Sequence, residues 1–189
     1  MVKYLLLILS FGAYAADNSI YVTQAGDGNT VYITQDGSGH TATVNLGTTS
    51  NVDNTSVSIE QKDAAKTAVV ENKSGINNSF NILQQGAGNH YAGIQNFIGS
   101  GNNVSVDQNG SGNHSFTITN PSNNTNSGNT VTATQSGGSG ANKTFNLALD
   151  GATGASATII QTNPTQSNTG TMSISCASGS CGSYSYIRY

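Results

Sequence analysis

The sequence predicts an all-β fold: a β-solenoid of six to seven stacked strand–turn–strand rungs with cross-β, amyloid-like layering. Three observations lead there. A heptapeptide framed by Asn and Gln recurs along the chain, apolar and polar residues alternate inside it, and Gly-rich tetrapeptides separate the copies.

The chain opens with Lys3, an apolar run from Tyr4 to Phe11, and Ala13-Tyr14-Ala15, a small-x-small motif. That is the layout of a secretory signal peptide over residues 1–15, with the mature chain starting at Ala16; the competing reading is a buried N-terminal strand. The run is too short to span a bilayer, and no later segment is apolar enough to do so. The expected location is therefore secreted and extracellular.

The clearest repeat is Asn29-Thr-Val-Tyr-Ile-Thr-Gln35, in which Asn29, Val31, Ile33 and Gln35 share one strand face. It returns as Asn78 to Gln84, Asn102 to Gln108 and Asn129 to Gln135, and more weakly as Thr55 to Gln61 and Ala155 to Gln161. The closing glutamines Gln35, Gln61, Gln84, Gln108, Gln135 and Gln161 are separated by 26, 23, 24, 27 and 26 residues. A second series starts at Asn18, His40, Lys66, Asn89, His114, Lys143 and Asn168. Its best members are Asn18 to Gln24 and Asn89 to Gln95.

Turns fall at Ala25-Gly-Asp-Gly28, Asp36-Gly-Ser-Gly39, Gln85-Gly-Ala-Gly88 and Asn109-Gly-Ser-Gly112, where Gly supplies positive φ and Asn or Asp bonds locally. Longer connections such as 120–128 are expected to bulge outward. One rung cannot bury its apolar face alone, so rungs must stack.

Stacking puts Val31, Val57, Phe80, Val104 and Val131 in one column and Ile33, Ile59, Ile82, Val106, Ala133 and Ile159 in the next. The opposing sheet offers Ile20, Tyr91, Phe116 and Phe145, then Val22, Val44, Val70, Ile118, Leu147 and Met172. Frames around Lys66 and Lys143 are open by one residue, and a slip there would turn the other face inward.

A buried amide is costly unless paired, and identical amides stacked one strand apart satisfy one another. The expected ladder holds Asn29, Gln35, Gln61, Asn78, Gln84, Asn102, Gln108, Asn129, Gln135 and Gln161; a second holds Asn18, Gln24, Asn89 and Gln95. Cys176 and Cys181 are expected to form a local disulfide in an oxidising compartment. Residues 176–189 then form a Cys loop followed by a terminal strand or tail, in which Ser183 to Tyr189 alternates with Tyr or Arg outward and Ser or Ile inward.

Charged residues are only 8% of the chain and the net charge is -3, so no basic patch for nucleic acid is expected. His40, His90 and His114 lack partners at metal-ligand spacing, and the acidic residues form no pair for acid–base work. No cofactor, metal or catalytic activity is expected.

The frame Gln, Gly-rich turn, Asn, strand, Gln, as in Gln24-Ala-Gly-Asp-Gly-Asn29 to Gln35, Gln84-Gln-Gly-Ala-Gly-Asn89 to Gln95 and Gln108-Asn-Gly-Ser-Gly-Asn113, resembles the repeat of the curlins, the subunits of curli fibres. The resemblance runs from Asn18 to about Ile174 and implies a curlin-like repeat solenoid over residues 16–175. It also implies a secreted functional amyloid of biofilm matrix, polymerising with itself, grown from a nucleator subunit and passed through an outer-membrane secretion pore. A monomeric β-solenoid adhesin or surface-binding protein is the competing class. The lack of a capping segment ahead of Asn18 favours the polymer.

Overall fold

The computed structural model describes residues 5–11, 17–176 and 179–189. Valine, isoleucine, threonine and aromatics alternating with polar residues suit a pleated, half-buried surface, and these segments form strands throughout. Sheet one contains β1 (Leu5–Phe11), β3 (Asn29–Gly37), β6 (Ser56–Asp63), β8 (Ser79–Gln85), β10 (Asn103–Gly110), β12 (Thr130–Gly137), β14 (Ser156–Gln161) and β16 (Ser183–Arg188), in that spatial order. Sheet two contains β2 (Ser19–Gln24), β4 (Thr41–Leu46), β7 (Lys66–Ile76), β9 (His90–Ile98), β11 (His114–Thr119), β13 (Lys143–Leu149) and β15 (Asn168–Ile174). A short β5 (Val52–Asp53) pairs with the end of β7.

Every pairing between neighbours in either sheet is parallel. Each rung is thus one strand of sheet two followed by one of sheet one, from β2–β3 to β15–β16: an all-β solenoid of about seven turns. At ~4.8 Å per layer the stack is roughly 34 Å long.

The core is the slot between the sheets. Val31, Val57, Phe80, Val104, Val131 and Ala157 stack in one buried column, and Ile33, Ile59, Ile82, Val106, Ala133 and Ile159 in the next. Across the slot run Ala42, Ala68, Ala92, Phe116 and Phe145, beside Val44, Val70, Ile94, Ile118 and Leu147. Large residues face small ones, as close packing requires. Gly170 in β15 shows why: a Cβ there would lie 2.6 Å from the Phe145 ring and 2.7 Å from that of Tyr186. The missing side chain admits Tyr186, whose ring centroid sits 4.9 Å from that of Phe145. Turns stack as tightly as strands. Gly110 has φ +116, and a Cβ on it would meet the Gly137 carbonyl at 2.3 Å.

Three expectations are corrected. In β9 the inward residues are His90, Ala92 and Ile94, so Tyr91 is half-buried on the outer face and the register is one residue later than a start at Asn89 predicts. Lys66 and Lys143, by contrast, pair in frame with His90 and His114. In β16, Cα pairing lays Tyr184, Tyr186 and Arg188 on the columns of Ala157, Ile159 and Gln161, but only Tyr186 is half-buried there, Tyr184 and Arg188 being exposed. The sequence reading has the reverse alternation, and no further strand among the described residues covers this rung. Finally, the 120–128 connection only partly bulges: Asn120 and Asn126 are buried, with 121–125 exposed between them.

Leu5–Phe11 stacks on the edge of β3, from Leu5 opposite Asn29 to Phe11 opposite Gln35. The expected cleavage motif Ala13-Tyr14-Ala15 lies outside the described residues. No helix among the described residues is long and apolar enough to cross a membrane.

Candidate functional site: the polar columns and the rung ends

Polar side chains inside a slot one residue deep must find partners along the stack, because water cannot reach them. The glutamines that close the sheet-one strands do so directly. Gln35, Gln61, Gln84, Gln108, Gln135 and Gln161 are fully buried in one column. Each Nε2 donates to the Oε1 of the next, at 2.9 Å from Gln35 to Gln61 and from Gln61 to Gln84, then 2.8 Å for each of the remaining three steps. The second amide proton goes sideways to sheet two: Gln61 Nε2 donates to Thr41 O, Gln84 to Thr67 O, Gln108 to Tyr91 O and Gln135 to Ser115 O. The ladder therefore fixes register within one sheet and ties it to the other.

The asparagines that open the strands work differently. Asn29 Oδ1 accepts from the Thr55 N–H at 2.8 Å while its Nδ2 donates to Val52 O at 2.6 Å. Asn78 holds Asn102 N and Gly99 O in the same way. Asn102 holds Asn129 N and Asn126 O, and Asn129 holds Ala155 N and Ala152 O. Each asparagine is a two-pronged clasp on the main chain of the following rung, always on a carbonyl and an N–H three residues apart. Side-chain contacts from Asn102 to Asn78 and from Asn129 to Asn102, both 3.0 Å, supplement it. Thr55 and Ala155 can head rungs because the clasp grips backbone, not their side chains.

The expected second amide ladder of Asn18, Gln24, Asn89 and Gln95 is not assembled. Asn18 forms a clasp, accepting from His40 N at 2.9 Å and donating to Gly37 O at 3.1 Å. Gln24 Nε2 turns to Gly26 O, Gln95 Nε2 donates to the Tyr91 hydroxyl, and Asn89 is an exposed turn residue whose N–H donates to Asn113 Oδ1.

The column below Asn18 instead holds His40, Lys66, His90, His114 and Lys143, all buried, ending at half-buried Asn168. Their polar ends bind turn carbonyls: His40 Nε2 with Asp36 O, His90 Nε2 with Gln85 O and His114 Nε2 with Asn109 O. Lys66 Nζ donates to the carbonyls of Ala64, Gly86 and Gly88, and Lys143 Nζ to those of Asn163 and Gln166. The His90 and His114 rings stack 4.8 Å apart and 3° from coplanar.

Burial disfavours charge here. It holds His90 down at about 4 and lowers His40 and His114 too, and it pulls Lys66 down to about 8 against the nearby Asp63. The sequence reading heads this series with His40, Lys66, His114 and Lys143 but puts Asn89 where His90 stands and expects an amide ladder from Asn18 and Asn89 instead. The signal was present in the pairs Asn89-His90, Asn113-His114 and Asn142-Lys143, which align on the basic residue rather than on the asparagine.

Cys176 and Cys181 form a disulfide with Cα atoms 5.9 Å apart, closing the loop that leads into β16. Cys181 is buried against the core.

Parallel rungs, a glutamine ladder and asparagine clasps define a repeat protein of the amide-stacked β-solenoid class. The family model of the curlin associated repeat matches residues 15–45, which span β2, β3 and most of β4. The chain thus carries a curlin repeat, and its later rungs continue the same geometry. No curated protein and no solved structure matches it.

Proposed function

We propose that the mature chain is an exported structural subunit that polymerises into curli-like amyloid fibres of a biofilm matrix, supports surface adhesion, and catalyses no reaction. The observation that carries this reading is the continuity of the stack. Both sheets keep parallel register from the first rung to the last, and the far edges of the last rung's strands have no neighbour among the described residues. Contact between unlike ends does not close on itself, so it propagates. Low charge helps, because few like charges meet where identical strands stack. In this reading residues 1–15 are removed on export through an outer-membrane pore, and a nucleator subunit starts growth.

The test is to dilute denaturant from purified chain 16–189 and follow particle size with time. Fibres with ~4.7 Å and ~10 Å diffraction support the proposal. A persistent monomer with β circular dichroism refutes it in favour of a monomeric adhesin.

A further inference from the structure

The glutamine ladder has a direction. Every Nε2 donates toward the C-terminal end, so the first member must show an acceptor and the last a donor. Gln35 is fully buried, yet its Oε1 accepts no hydrogen bond among the described residues. A buried acceptor left unmet is expensive, which makes this end of the column incomplete.

At the other end, Gln161 Nε2 has only long contacts of 3.4 Å to Thr144 O and Asn168 O. The next position in the column is Arg188, the chain's single arginine, paired through its Cα with Gln161. Alternation along β16 places it on the face of Tyr186, which packs into the core. Its guanidinium is exposed and has no partner among the described residues. Arginine only donates, so it cannot extend the ladder from Gln161 and instead turns donors outward from the last rung.

Sheet two shows the same incompleteness. Asn18 clasps His40 N and Gly37 O on the rung above it. Asn168 ends that column in the last rung, and its Nδ2 is buried without a partner.

Resting on the fibre reading above, we propose that the junction between copies is a second copy's first rung stacked on this last rung. Arg188 donates to Gln35 Oε1 of the next copy, and Asn168, next in column to Asn18 of that copy, donates through Nδ2 to the main chain within its residues 16–18. The occupant is a second copy because the unmet groups at one end, two donors, answer the unmet acceptor and free strand edges at the other, in register with the columns already formed. In the full-length chain β1 lies on the same β3 edge, with Phe11 opposite Gln35. One edge cannot hold both β1 and the β16 of another copy. Loss of residues 1–15 therefore opens the growing face.

Fibres are grown from equal parts of chain 16–189 labelled either with ¹⁵N-arginine or with ¹³C-glutamine. The two labels never share a chain, so an Arg–Gln side-chain contact in solid-state NMR reports the junction alone. We expect one such contact, lost in Gln35→Leu; fibres without it overturn the proposal. In seeded growth, Arg188→Leu should elongate about tenfold more slowly, Arg188→Gln should recover most of the rate, and full-length chain should not elongate. Fibres of normal diffraction in which Arg188→Leu elongates at the parent rate overturn the junction and leave the fibre reading standing. If chain 16–189 never polymerises, both fall.

Discussion

Replacing Gln108 by Leu separates the ladder from burial as such. Gln108 sits mid-column: its Oε1 accepts from Gln84 at 2.8 Å, and its Nε2 donates to Gln135 Oε1 at 2.8 Å and Tyr91 O at 2.9 Å. The leucine deletes all three bonds. Gln84 keeps its bond to Thr67 O, but Gln135 Oε1 loses its only donor among the described residues. A stranded buried acceptor costs roughly 1–3 kcal/mol, and each of the other two lost bonds about 1 kcal/mol, or about 3–5 kcal/mol together. Gln161→Leu is the matched control, since Gln161 is equally buried. Its loss leaves Gln135 Nε2 bonded to Ser115 O and removes only two long contacts besides, for about 1 kcal/mol. With a urea slope of about 2 kcal/mol/M, the two variants should differ by about 1 M or more in midpoint, followed by circular dichroism below the assembly concentration. Equal midpoints would mean that the glutamines matter only as filled volume, and the ladder argument would be wrong.

Acid should loosen the fold. The folded-state value of His90, about 4, lies below its ordinary 6.5, so between those limits the unfolded chain binds an extra proton and stability falls as pH drops, by up to about 3 kcal/mol. His40 and His114 act with the same sign, and denaturation midpoints from pH 4 to 7 should flatten in His90→Gln. Lys66 works on the alkaline side: folded near 8 against 10.5 unfolded, it adds stability as pH rises from 8 to 10.5, a slope that Lys66→Met should abolish. Gly170→Val should expel Tyr186 from its place over Phe145, costing about 1–3 kcal/mol and speeding amide exchange in β16 before other strands. Reduction of Cys176–Cys181 should cost about 2 kcal/mol and frame the same local opening, read by exchange in β16.

The spacing of the six glutamines and the period-two apolar pattern carried the sheet-one register, because Val, Ile and Gln at alternate positions leave only one face to bury. Sheet two was harder to read. Asparagine suits both a turn and a strand start, so Asn89 looked like a column leader when its neighbour His90 is the buried one. Lysine at a core position also runs against its usual preference. Lys66 is tolerated because three turn carbonyls converge on its ammonium, a feature of assembled turns that no local pattern displays. The alternation of β16 was misread for a related reason: Tyr184 and Arg188 are exposed, and only pairing with Ala157 and Gln161 shows that they share the face of half-buried Tyr186.

The asparagine clasp also bears on how such a chain can diverge. Because its two prongs seize main-chain atoms, Thr55 and Ala155 can head a layer as Asn102 and Asn129 do, although the two asparagines add side-chain contacts of 3.0 Å to the preceding one. Such a layer is still gripped from the one before, while its own grip on the next is lost, as at Thr55, whose hydroxyl bonds Asp53 O within its own layer. A repeat of this kind fades from sequence comparison sooner than from the architecture, as when a family match confined to residues 15–45 precedes further layers of the same build.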